Sequence, residues 1–143
     1  MKSLIGLLLF FCSSLAFADI SVTHARAAAT APGQQVGGAY LDISASENAK
    51  LVGVESPVAR KVMIHVMTMK NGIMEMRSVK TLDIPAGKTV SLSEGGMHLM
   101  LMDIRKPLVS GDTVPLRLTF DQDGKQIVLN VGAKVTGMGM DMH

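Results

Sequence analysis

The dipeptide Asn71-Gly72 constrains this chain more than any other pair of residues. It separates Val62–Lys70 from Ile73–Val79, two β-prone segments. Asn-Gly supplies the two positive φ angles of a type I′ turn, so the spacing predicts a tight antiparallel hairpin. The turn also fixes the register: Lys70 faces Ile73, Met69 faces Met74, Met67 faces Met76 and His65 faces Ser78. Opposed residues share a sheet face, and side chains alternate with period two. His65, Met67, Met69, Met74 and Met76 therefore project together. Ile64, Val66 and Thr68 occupy the other face with Glu75, Arg77 and Val79.

Most of the remaining chain also reads as short strands. They are Ile20–Thr23, Ala39–Ile43, Leu51–Glu55, Leu82–Ile84, Thr89–Leu92, Met97–Asp103, Val114–Phe120 and Gln126–Val135. Turn signals separate them at Ser44–Lys50, Ser56-Pro57, Pro85-Ala86-Gly87, Lys106–Asp112 and Asp121–Gly124. Ala25–Gln35, rich in Ala and holding Pro32-Gly33, reads as an irregular lead-in. Such spacing without a helical period predicts an all-β fold, an antiparallel sandwich or barrel. In Met97–Asp103, alternation puts His98, Met100 and Met102 on one face and Met97, Leu99 and Leu101 on the other.

The first eighteen residues lie outside this pattern. Lys2, the apolar run Leu4–Phe11 and Ala16-Phe17-Ala18 have the form of a secretory signal peptide, too short for a membrane span. Cleavage is expected after Ala18, leaving a β domain at 19–135 and a tail at 136–143, with no stable membrane insertion. Lipidation at Cys12 is disfavoured by the bulk of Phe10 and Phe11 before it. Cleavage would also remove Cys12, the sole cysteine of the 143 residues, and with it disulfides and thiolate metal sites. Lys2 would go too, so the 14 Lys and Arg would become thirteen against 12 acids. A charge near +1 with a single Tyr gives no hint of nucleic acid.

The chain is rich in Met, with 12 residues, eleven of them after Met1. Methionines often fill irregular gaps in cores, and a lone His is commonly a hydrogen-bonded structural residue. The patterning leaves core packing and a metal site as open alternatives. For a metal, thioethers favour Cu(I), while His is less selective. Structural zinc would more often use Cys or several His, calcium and magnesium want clustered oxygens, and a blue-copper centre needs a Cys. One site could draw His65 and Met76 from the hairpin and His98 and Met100 from the second strand.

At these residues the chain closely resembles the copper chaperone PCu(A)C family of bacterial periplasmic proteins, whose signature is H-x10-M-x21-H-x-M. His65 and Met76 are separated by ten residues, and His98 and Met100 follow after twenty-one more. GGMHLMLMDIRKPLVSGDTVPLRLTF, GGAYLDI and LVGVESPVA extend the likeness over most of 36–135. The lead-in at 24–33 departs from it: Arg26 or a neighbouring Ala stands where an aromatic is usual. The resemblance implies a cupredoxin-like Greek-key β-sandwich of the periplasm; a monomer is the separate expectation, with exposed Met patches leaving a dimer contact open. The resemblance implies Cu(I) held by His65, Met76, His98 and Met100. It also implies partners: the copper subunit of cytochrome c oxidase or a Sco-type protein. Met67, Met69, Met74 and Met102 read as a surrounding rim. Met138, Met140, Met142 and His143 resemble the Met- and His-rich tails of some relatives, a second copper-binding segment that could take Cu(II). The alternative function is a periplasmic copper buffer or resistance protein without a dedicated acceptor. No set of residues suggests an enzyme.

Overall fold

In the structure, a computed structural model that describes residues 20–93 and 96–137, the hairpin forms with the expected register. Asn71 and Gly72 have φ of 52° and 80°, the two positive angles that a type I′ turn requires. Among the described residues there are ten strands: β1 (Ile20–Ala28), β2 (Val36–Ala45), β3 (Ala49–Glu55), β4 (Ala59–Lys70) and β5 (Ile73–Val79), then β6 (Leu82–Ile84), β7 (Thr89–Leu92), β8 (His98–Ile104), β9 (Thr113–Gln122) and β10 (Lys125–Thr136). The expected leader at 1–18 and the tail residues Met138, Met140, Met142 and His143 lie outside the described residues.

Hydrogen-bonded neighbours run β5-β4-β8-β2-β1-β10-β9-β3-β6, and β7 pairs with β2. Hairpins β1–β2, β4–β5 and β9–β10 are thus interleaved with long-range pairings such as β4–β8, an order of the Greek-key kind. The ribbon folds over itself into a sandwich. Leu41 and Ile43 of β2, Leu99 and Leu101 of β8, Ile64 of β4, Leu51 of β3 and Leu116, Leu118 and Phe120 of β9 share one buried core.

Two details depart from the sequence-based expectation. One pairing, β1 with β10, is parallel, with Ala27 opposite Val135. Ala25–Ala28 also continues β1 rather than forming an irregular lead-in. A bulge between Thr23 and Arg26 breaks the pattern there, with His24 at φ 56°. The extra residue bends the strand and lets it resume pairing. The small Ala27 is then fully buried between β2 and β10.

The core and the hairpin tip should respond differently to mutation. Phe120 heads the fully buried side chains, whereas Met69 is 65% exposed. Phe120→Ala is expected to cost about 3–5 kcal/mol in urea unfolding, and Met69→Leu less than about 0.5 kcal/mol. Equal shifts in the two midpoints would contradict this placement of the core.

Candidate metal centre on the outer face of β4 and β8

The core fixes which side chains face outward. Ile64, Leu99 and Leu101 are buried, so alternation turns Met63, His65, Met67 and Met69 of β4 and His98, Met100 and Met102 of β8 to the opposite face. The strands pair antiparallel, with His65 opposite His98 and Met63 opposite Met100. The imidazole centroids lie 5.4 Å apart in an edge-on arrangement. Across β4–β5, Met67 faces Met76. This makes Met76 a diagonal neighbour of His65, roughly 7–8 Å away at the backbone.

The four residues singled out by spacing thus occupy three adjacent strands of one face. His65 and His98 are directly opposed, Met100 follows on β8, and Met76 approaches from β5. Of the methionines among the described residues, only Met97 packs against the core. Core filling therefore does not account for Met63, Met67, Met69, Met74, Met76, Met100 or Met102.

The two imidazoles are held differently. His98 Nδ1 lies 2.9 Å from the Gly96 carbonyl oxygen. A carbonyl can only accept, so Nδ1 carries the proton and donates it. That bond leaves the lone pair on Nε2 and fixes the ring's orientation, the usual arrangement of a metal-ligating histidine. His65 Nδ1 is buried and has no hydrogen-bond partner. An orphaned polar atom of this kind costs about 1–3 kcal/mol. Burial lowers the His65 pKa below its ordinary 6.5, and the charge on His98 lowers it further. The ring is thereby kept neutral, the form that can donate a lone pair.

The structure adds three features to this face. Met63 stands directly opposite Met100 and belongs to the same outward row as His65. Extending the alternation two residues back from His65 would have found it. The Tyr40 ring lies 6.4 Å from His98. Gly38, opposite Met100 on β2, makes room for Tyr40: a Cβ there would come within 2.8 Å of Tyr40 Oη.

Among the described residues, no group of three or more His, Cys, Asp or Glu could hold a metal ion. A cation on this face would have to use thioether sulfur beside the two imidazoles. That mixture of neutral, soft donors suits a soft monovalent ion far better than a hard divalent one.

The lowered His65 pKa makes the metal-free fold sensitive to acid. Between the lowered value and 6.5 the unfolded chain binds more protons than the folded one. Stability is therefore full above about pH 6.5 and falls as the pH drops through that window. Thermal unfolding from pH 7.5 to 5 should show a fall that His65→Gln reduces, with the His65 ring titrating below 6.5 by NMR. Titration at or above 6.5 would contradict the burial of this ring.

The fold has counterparts in known proteins. Residues 20–131 match the LpqE-like family, described as "Putative lipoprotein LpqE-like". The protein "Putative lipoprotein Lxx21020" from Leifsonia xyli subsp. xyli is 32% identical over 131 residues, spanning 78% of each chain. The solution structure of CuI-DR1885 from Deinococcus radiodurans is similar at 31% identity and a TM-score of 0.65, covering 90% of this chain and 83% of that one. The copper-bound PCuAC domain from PmoF2 superposes with a TM-score of 0.67 at 23% identity, covering 86% of this chain and 97% of that domain. At that identity the likeness shows a shared fold alone. The match across the sandwich makes this chain a member of the LpqE-like family, built on the β-sandwich of PCuAC domains.

Proposed function

We propose that the protein is a copper carrier that binds Cu(I) through His65, Met76, His98 and Met100 and surrenders it to a copper-requiring acceptor. The observation that carries this reading is the imidazole pair. Two rings 5.4 Å apart stand among outward methionines, one with its lone pair directed by the Gly96 carbonyl and the other with a buried, unpartnered nitrogen. A Cu(I) ion taken up at the lone pairs would satisfy ring nitrogens that protein groups leave free. The relative described as CuI-DR1885 supports the choice of ion.

The four donors are neutral, so a bound monovalent ion keeps its charge without a counter-ion. Met76 is 48% exposed, whereas the two His and Met100 are half-buried. A thioether on the rim is the donor that an incoming protein can replace first. Ligand exchange through Met76 suits delivery better than permanent storage. The acceptor proposed from the family resemblance is the copper centre of cytochrome c oxidase, reached directly or beside a Sco-type protein. Nothing in the site suggests catalytic turnover of a substrate.

Export belongs to the same reading. The 1–18 segment acts as a cleaved signal peptide, placing the carrier in the periplasm. The word "lipoprotein" in the names of the family and its relative fits an extracytoplasmic location. The mass of the mature protein separates cleavage after Ala18 from lipid attachment at Cys12.

Anaerobic Cu(I) titration against a chromogenic chelator tests the site. His65→Ala and His98→Ala should each weaken binding by at least about 10–100-fold, the loss that even disturbing a ligand's supporting partner can cause. Unchanged affinity in both variants would refute the site. Delivery is tested by mixing the loaded protein with the metal-free copper domain of an oxidase. A dedicated chaperone transfers its ion faster than chelator-driven release. A buffer does not.

A further inference from the structure

We propose that the tip of the β4–β5 hairpin is a second, thioether-only Cu(I) site, made by Met67, Met69 and Met74, which loads the imidazole pair through Met76. This deepens the copper-carrier reading and rests on it for the identity of the ion. The argument begins with register. Met69 faces Met74 and Met67 faces Met76, so four thioethers form two consecutive rungs on the face that carries His65. A two-residue turn closes on a hydrogen-bonded pair, here Lys70 and Ile73. Both Met rungs therefore fall at non-hydrogen-bonded positions, where opposed side chains come closest. Rungs two residues apart are separated by about 7 Å along the strand, within reach of long unbranched side chains.

Packing does not explain these methionines. Met69 and Met74 are 65% and 56% exposed, and neither Met67 nor Met76 packs against the core. The opposite face of the same segment is mixed, with Lys70 opposite Ile73, Thr68 opposite Glu75 and Val66 opposite Arg77, and with Thr68 Oγ1 donating to the Glu75 carbonyl at 3.4 Å. The tip thus presents all its sulfur on the side that leads to the imidazoles. Exposed edge strands more often carry charge, which discourages association. A row of apolar thioethers there calls for another role, and soft-ion binding fits their chemistry.

The row continues without a gap. Met69 and Met74 are followed by Met67 and Met76, then by His65 opposite His98, then by Met63 opposite Met100. An ion held by thioethers at the tip can move inward by ligand exchange. Each step forms one copper–sulfur or copper–nitrogen bond as one copper–sulfur bond breaks, with no change of oxidation state. The tip has no imidazole, so it binds more weakly than the inner site and exchanges faster. That gradient gives the transfer its direction.

The test uses the full chain labelled with carbon-13 at the methionine methyls and titrated anaerobically with Cu(I). In a His65→Ala/His98→Ala variant, the methyl signals of Met67, Met69 and Met74 should still shift. In a Met67→Leu/Met69→Leu/Met74→Leu variant, which keeps size and apolarity, the imidazoles of His65 and His98 should reach the same final occupancy about tenfold or more slowly in stopped flow. Unmoved tip methyls would overturn the proposal and leave the tip as an apolar docking surface. A wild-type loading rate in the triple variant would overturn it as well. The copper-carrier reading fails separately, if the His65 and His98 ring signals of the unsubstituted protein do not respond to Cu(I) while the tip methyls do.

Discussion

The structure depends on the pairing of β4 with β8. Ile64 lies beneath this pairing, with Leu99 opposite it in the core, and one residue further along His65 meets His98 on the outer face. The hydrophobic effect sets this register. A slip of one residue in either strand would turn its imidazole inward and expose its leucine or isoleucine, at about 1.5–3 kcal/mol for each large apolar side chain lost to water. The contacts that hold the sandwich together are thus the contacts that bring two nitrogen donors face to face. Site and core are two sides of the same two strands.

A second constraint is visible in the polar groups. His98 is tethered to the Gly96 carbonyl, just before β8 begins. His65 has no such tether, and its buried nitrogen is left unpaired. A fold that keeps an orphaned nitrogen in a ring held neutral gives up some stability in the metal-free state. The Tyr40 ring lies near His98, seated over Gly38 on β2, while β5 stands at the far end of the strand order.

Local features were legible in the sequence to a high degree. Asn71-Gly72 fixed the partner of every residue from His65 to Ser78, because a two-residue turn leaves no freedom in register. Alternation alone placed His98, Met100 and Met102 on a common face. What sequence periodicity could not supply was the adjacency of β4 and β8, since strand partners distant in the chain are chosen by the packing of the whole core. The resemblance to a known family bridged that gap for four residues and left Met63 unnoticed. The course of β1 departs from the sequence-based expectation for a related reason. Its alanines are weak strand formers, and they extend because β2 and β10 flank them on both sides, one of these pairings parallel.

Half of the proposed donor set is local and half is not. His65 and Met76 sit on one hairpin that closes over a two-residue turn, while His98 joins them only through a pairing between separate stretches of chain. An unfolded or partly folded chain can therefore offer scattered sulfur but no opposed imidazoles. For a carrier of the proposed kind, tight capture of an ion would become a certificate of completed folding: the hairpin alone would have little grip on metal, and only the finished sandwich would compete for it.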